Sequence, residues 1–228
     1  DPAYDRLWAT AQDRGMPITL HNLTGRALSP FNFYDPKEQE EGPRVMLTIN
    51  YEIMGVLGND FIFGAVLDRF PNLKIYFAET HAGWLPFFMH MADLRYDRHH
   101  HWATELLGFK PLKRLPSETF RQHCVTGFEG DEAPPSRLPE FYGDILAWAS
   151  DVYHHDGDDV WRAIETMEAC ELPVDYQAKF LGDNVRRLYS IKPPAKFIRE
   201  RVTEIERPDW WPTEEEINKS LKPESAVR

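Results

Sequence analysis

Residues 145–156 read ILAWASDVYHHD, an apolar run that stops at Ser150 and Asp151 with His154 and His155 directly behind. A carboxylate closing a buried strand is costly unless a metal ion or an arginine neutralises it, so this stretch is expected to end at a site. PITLHN (17–22), FPNLKIYFAETH (70–81) and HCVTGFEGD (123–131) have the same shape, closing on His21 and Asn22, on Glu79 and His81, and on Glu129. Runs that stay apolar until their last residues turn polar are how buried parallel strands read.

Helical patterns separate these runs. Leu7, Trp8 and Ala11 recur at helical spacing between Tyr4 and Arg14, closed by Gly15 and Pro17. Ile53, Val56, Leu57, Phe61, Ala65 and Leu67 form a wide stripe that Gly55, Gly58, Asn59 and Asp60 are expected to break in two. WLPFFMHMADLRYDRHHHW (84–102) is an aromatic-rich helix, and Ser117 with Glu118 begins a short one. DDVWRAIETMEAC (158–170), with Asp158 or Asp159 as N-cap, and VDYQAKFLGDNVRRLYSI (174–191) complete the set. Strand and helix alternate, which predicts an α/β fold on a parallel sheet. Both (β/α) barrels and doubly wound sheets place their sites at the carboxyl ends of such strands.

The chain has 228 residues, 42% of them hydrophobic, ample for one large core or two small ones. Its formal charge of -11, with 26 Lys and Arg against 37 Asp and Glu, argues against nucleic acid or an anionic membrane as partner. No segment reaches the ~18 to 20 continuous apolar residues of a membrane span. Cys124 and Cys170 are too few for a disulfide scaffold, so a cytoplasmic setting is expected; the expected partner is a small-molecule substrate. Two stretches read as additions to the core. SPFNFYDPKEQEEGP, in the loop from Leu28 to about Pro43, is a surface excursion near a site, and the tail from Lys192 onward is rich in Pro and charge.

Imidazoles and carboxylates on successive strand ends can converge on one divalent metal. Taken singly they have plainer readings: His21 as a half-buried histidine bonded to backbone, Asp151 as the N-cap of the next turn. HExxH, GxxxxGK[ST], GxSxG and GxGxxG do not occur. His99, His100 and His101 point about 100° apart on a helix and cannot share an ion. Cys124 and the aromatic run from Trp84 to Phe88 read as core.

FPNLKIYFAETHAGWLPFF (70–88), LPSETFRQH (115–123), ILAWASDVYHHD (145–156) and FLGDNVRRLYSI (180–191) together resemble the amidohydrolase-related group of metal-dependent TIM-barrel enzymes. That group includes the aminocarboxymuconate-semialdehyde and resorcylate decarboxylases. Its recurring pieces are P(V/I)xxH, FPxLK, PSExF, SDxPH and a closing NAxRLY. The resemblance implies a (β/α)8 barrel of about 250 residues, of which residues 1–190 hold roughly strands five to eight, with 191–228 as a C-terminal extension. In the group, a strand carrying His-x-His and several further units come before the segment matching Asp1, so a front half absent here or supplied by another chain is expected.

By the same resemblance His21 and Asp151 bind a divalent metal, zinc first and manganese second. Asp151 also handles protons. Either Glu79 or His81 takes the acid/base role of the sixth strand. His154 falls on the histidine of SDxPH, and Asn184 and Arg187 on NAxRLY. Asn22, Arg26 and His154 are candidates for substrate contact, Arg26 by its place after a strand end. The activity implied is metal-dependent hydrolysis of a small, carboxylate-bearing substrate. The alternatives are non-oxidative decarboxylation of an aromatic or unsaturated acid, and an incomplete, non-catalytic fragment or structural subunit. Trp210 and Trp211, between Pro208 and Pro212, suit either a clasp that makes a homo-oligomer or an arm packed on its own domain.

Overall fold

A computed structural model of the chain describes residues 2–21, 54–130, 132–152, 154, 157–192 and 210. Asn22, Arg26, the loop from Leu28 to Pro43, His155, Trp211 and the rest of the tail lie outside the described residues. The chain divides into two compact units, Asp1–Lys192 and Pro193–Arg228, and the sheet belongs to the first.

Strands β1 (Ile18–His21), β2 (Ile75–Ala78), β3 (Cys124–Phe128) and β4 (Leu146–Trp148) form one four-stranded sheet, all parallel, in the order of the chain. Parallel neighbours require a crossover, and helices supply it. Helix α1 (Asp5–Asp13) leads into β1. A π-helical segment, Val56–Phe63, and α2 (Val66–Arg69) precede β2. Helices α3 (Leu85–Leu107) and α4 (Pro116–His123) connect β2 to β3, and α5 (Ala133–Arg137) with α6 (Pro139–Tyr142) connects β3 to β4. Helix α7 (Val160–Ala169), then α8 (Val174–Ala178), a π-helical turn Lys179–Asp183 and α9 (Asn184–Leu188) follow β4.

Every residue of β3 is buried, the burial expected of an inner parallel strand. One face of the sheet, with Ile75, Phe77, Cys124, Phe128 and Leu146, joins the main core with Leu85, Met89 and Phe120 from the crossover helices. On the other face Tyr76, Val125 and Ala147 pack against Val185 and Leu188 of α9. Gly127 leaves room on that face for a tyrosine: a Cβ there would stand 2.8 Å from the Tyr76 hydroxyl.

The helical stripe before β2 breaks at Gly64 and Ala65, where Ala65 turns left-handed (φ 55°), rather than at Gly55 or Gly58. Leu57, Phe61 and Ile62 are buried, and their packing outweighs the helix-weakening effect of the glycines. The cap of α7 is Asp159, whose carboxylate accepts from Arg162 N at 2.9 Å. Asp158 is used elsewhere: its Oδ2 accepts from Gly130 N at 2.5 Å and Trp148 Nε1 at 3.0 Å, tying the end of β3 to the end of β4. Among the described residues no helix is long and apolar enough to cross a membrane.

Candidate functional site

Register decides which side chains meet. His21 pairs with Ala78, Phe77 with Thr126, and Phe128 with Trp148, so the strands end nearly level. The residues just beyond those ends are Glu79, Glu129 and the Ser150–Asp151 step. Glu79, His81, Gly127, Phe128, Glu129, Ala149 and Asp151 line one small pocket at this rim.

The backbone here is strained. Glu79 (φ 53°), His81 (φ 57°) and Asp151 (φ 43°) are left-handed without being glycine, and they are three of the six such residues described. Each such conformation costs on the order of 1 kcal/mol or more and persists only where the surroundings impose it. The turn after β2 shows how. Trp84 Nε1 donates to Thr80 O at 2.9 Å and His81 O at 3.1 Å. The Thr126 hydroxyl donates to His81 O at 3.2 Å and also bonds the Thr80 hydroxyl at 2.9 Å. Tyr142 OH donates to Ala82 O at 2.9 Å. The turn is thus held from β3, α6 and the start of α3.

Within the rim the groups pair. His21 Nε2 lies 2.9 Å from Glu79 Oε2. His154 Nδ1 lies 2.6 Å from Asp151 Oδ2, an oxygen that is buried and accepts no well-aligned hydrogen bond, so the contact is charge against ring. His81 Nδ1 faces Glu132 Oε1 at 3.3 Å and Glu129 Oε2 at 3.9 Å. Tyr76, on the sheet face below, has its hydroxyl pushed up to about 12 by burial, with Tyr189 and Glu79 adding to the effect; it stays neutral.

The structure therefore brings Glu79, His81 and Asp151 to one pocket, sets His21 against Glu79, and stands His154 beside Asp151. Asn22 and Arg26 lie outside the described residues. His99, His100 and His101 do not gather on one ion: Trp102 Nε1 donates to His99 at 3.0 Å, His100 Nδ1 bonds Tyr96 O at 2.8 Å, and the exposed His101 ring lies 3.7 Å from that of His100. Cys124 is fully buried and its thiol is pushed well up by burial, which makes it core rather than nucleophile. Asn184 is a buried brace, donating to Gly143 O at 3.0 Å and Leu146 O at 2.8 Å.

The residue that the strand ends do not reveal is Glu132. It is the N-cap of α5 but makes no side-chain cap bond, because Pro134 and Pro135 occupy the positions whose N–H groups a cap would bond. Its carboxylate instead accepts from Ala82 N at 2.9 Å and Glu129 N at 3.0 Å. A Glu followed by Ala-Pro-Pro is the signal that could have marked it.

Whether this donor set fits a metal ion can be tested on the geometry. Imidazole and carboxylate are suitable chemistry, and the buried Asp151 Oδ2 lacks an aligned donor. Among the described residues, however, no three His, Cys, Asp or Glu side chains stand close enough together to hold an ion. The Nε2 of His21 is also engaged with Glu79. The described residues alone do not make a metal site.

Among curated proteins none matches this chain. Solved structures do, including an amidohydrolase of Mycobacterium avium subsp. paratuberculosis (20% identity, TM-score 0.57, 83% of this chain and 46% of that one). A 5-carboxyvanillate decarboxylase of Sphingomonas paucimobilis shares 22% identity at TM-score 0.59, over 84% of this chain and 54% of that one. Another, of Novosphingobium aromaticivorans and solved with bound manganese, shares 18% at TM-score 0.63, over 82% and 52%. The chain spans about half the length of these structures, and the likeness is one of fold, of the TIM-barrel α/β type. An amidohydrolase family model matches residues 1–191, nearly the whole of the first compact unit. On that match, this protein belongs to the amidohydrolase family.

Proposed function

We propose that the protein acts as a hydrolase on a small, carboxylate-bearing substrate, using the acids and imidazole of the rim to activate water. One observation carries this reading: Glu79, His81, Glu129 and Asp151 gather around one pocket at the carboxyl ends of parallel strands, three of them on left-handed backbone. Imidazole is the common proton acceptor at neutral pH, and His81 is assigned that role. Asp151, paired with His154, is assigned the second proton-handling role, and Glu79 orients His21. Among the described residues lining the pocket there is no Lys or Arg, so the pocket suits deprotonation of water better than capture of an anion; Arg26 is assigned to the substrate carboxylate.

The four strands are assigned as strands five to eight of the barrel: the coverage of about half of each matched structure supports a half-barrel, and the order of the motifs supports its second half. A divalent ion, zinc or manganese, belongs to the proposal with His21 and Asp151 as two ligands. The manganese-bound decarboxylase supports it. Its remaining ligands are assigned outside the described residues.

The second reading is decarboxylation of an aromatic acid, favoured by the several matched structures that are decarboxylases, among them the two named above. One assay separates the readings. The chain is incubated with lactones and amides beside hydroxybenzoates, with zinc or manganese supplied, and both hydrolysis products and carbon dioxide are measured. Hydrolysis is expected. Carbon dioxide release without hydrolysis would reverse the order, and neither product would favour the non-catalytic alternative.

A further inference from the structure

Two loops that carry the rim meet at Glu132. The side chain of this residue is nearly buried, 14% exposed, and each oxygen has a backbone donor: Oε2 takes Ala82 N at 2.9 Å, and Oε1 takes Glu129 N at 3.0 Å. Oε1 also faces His81 Nδ1 at 3.3 Å. The main chain holds the same turn, with Glu132 N donating to Glu129 O at 3.0 Å. This carboxylate is fixed at two points before it touches the imidazole, and the prolines of α5 prevent it from turning back to cap its own helix.

We propose that Glu132 is the positioning residue of the site: it holds the His81 ring by accepting a hydrogen bond from Nδ1–H, which makes Nε2 the basic nitrogen offered to the pocket. A carboxylate can only accept, so a ring nitrogen facing it at this distance carries the proton, and the neutral ring then has its lone pair on the other nitrogen. When Nε2 takes a proton from a substrate or water, the imidazolium stands against the Glu132 carboxylate, which stabilises the positive ring. The assignment of Glu132 rests on the acid/base role given to His81 above. The tautomer itself does not depend on which reaction the site performs.

The test reads the ring directly. In the full chain with nitrogen-15 histidine, at about pH 8.5, well above the ordinary histidine value, long-range proton–nitrogen spectra distinguish the two neutral tautomers; loss of one signal set in His81→Asn assigns His81. The expected result is protonated Nδ1 and bare Nε2 in the unaltered protein. In Glu132→Ala the acceptor facing Nδ1 is removed, so the His81 pattern changes to the other tautomer or a mixture. In whichever assay shows turnover, the same variant lowers kcat about 10- to 100-fold. A wild-type ring protonated at Nε2, or an unchanged His81 pattern in a folded Glu132→Ala, overturns the proposal. Should that variant fail to fold, the wild-type tautomer still decides. Absence of hydrolysis together with the expected tautomer would remove the hydrolase reading and leave Glu132 in place.

Discussion

The two ends of the same strands use similar residues in opposite ways. At the amino ends Lys74, Arg121, His123, Cys124, Asp144 and Arg187 surround a cavity, and none of these residues is left-handed. Their polar groups go largely to main-chain carbonyls: Lys74 Nζ to Gln122 O at 2.6 Å, Arg121 to Phe141 O at 2.8 Å, His123 Nδ1 to Leu73 O at 2.8 Å, and Arg187 to Asp144 O. Asp144 feels burial most, which pulls its carboxyl up, but Lys179 and Arg187 together hold it below the ordinary value. At the carboxyl ends, acids and imidazoles face one another on strained backbone. A barrel keeps its stability at the first face and its chemistry at the second. The contrast supports the proposed site at the carboxyl ends.

Substitutions at the rim are expected to cost activity and leave folding nearly intact. His81→Asn and Asp151→Asn should each lower kcat/KM by roughly 10²- to 10⁴-fold, the usual contribution of one acid/base group. Thermal unfolding of both should stay close to that of the unaltered protein. A variant that keeps its turnover would move the acid/base role to Glu79, the other candidate of the same turn.

Substitutions at the amino face should do the reverse. Asn184→Ala removes two donors from the buried carbonyls of Gly143 and Leu146, and should cost about 2 to 3 kcal/mol in denaturant unfolding. A loss below about 1 kcal/mol would mean that water replaces the amide and that this brace is not what holds β4.

Strain gives a smaller and more discriminating effect. Asp151→Gly places at φ 43° a residue that tolerates it, so stability should rise by about 1 kcal/mol while activity falls. Loss of stability on this change would show that the His154 pair, rather than the surrounding fold, stabilises that backbone.

The strands and their polar ends were legible because period and polarity are local. β3 is apolar from Cys124 to Phe128 save for Thr126, and buried throughout, and the acid that follows it is at the rim. The break at Ala65 was not legible, because burial of Leu57, Phe61 and Ile62 keeps two glycines helical and only the folded chain supplies that packing. The pairing of His21 with Glu79 depends on strand register, which no single strand carries. Glu132 lay hidden for another reason. It follows its strand by a turn, and its contact with Ala82 spans 50 residues of chain. The left-handed conformations at Glu79, His81 and Asp151 have no sequence mark at all, since glycine, the usual one, is absent there.

The amino face also carries a pH dependence that sharpens the comparison. His123 is 1% exposed. Burial is the largest influence on it and draws its pKa below the ordinary 6.5; the hydrogen bond to Leu73 acts the other way, and nearby Lys74 and Arg114 add to the lowering. In the unfolded chain the ring recovers the ordinary value. Between the lowered folded value and 6.5 the unfolded state therefore binds a proton that the folded state refuses. The stability that the neutral ring contributes is complete above 6.5 and is lost as pH falls through that window to the folded value. Melting temperatures taken between neutral and mildly acidic pH should drop more steeply for the unaltered protein than for His123→Asn, whose amide can still donate to Leu73 O and has no proton to gain. Parallel slopes in the two proteins would show that His123 accepts its proton in the folded state, and that the amino face is as tolerant of charge as the rim.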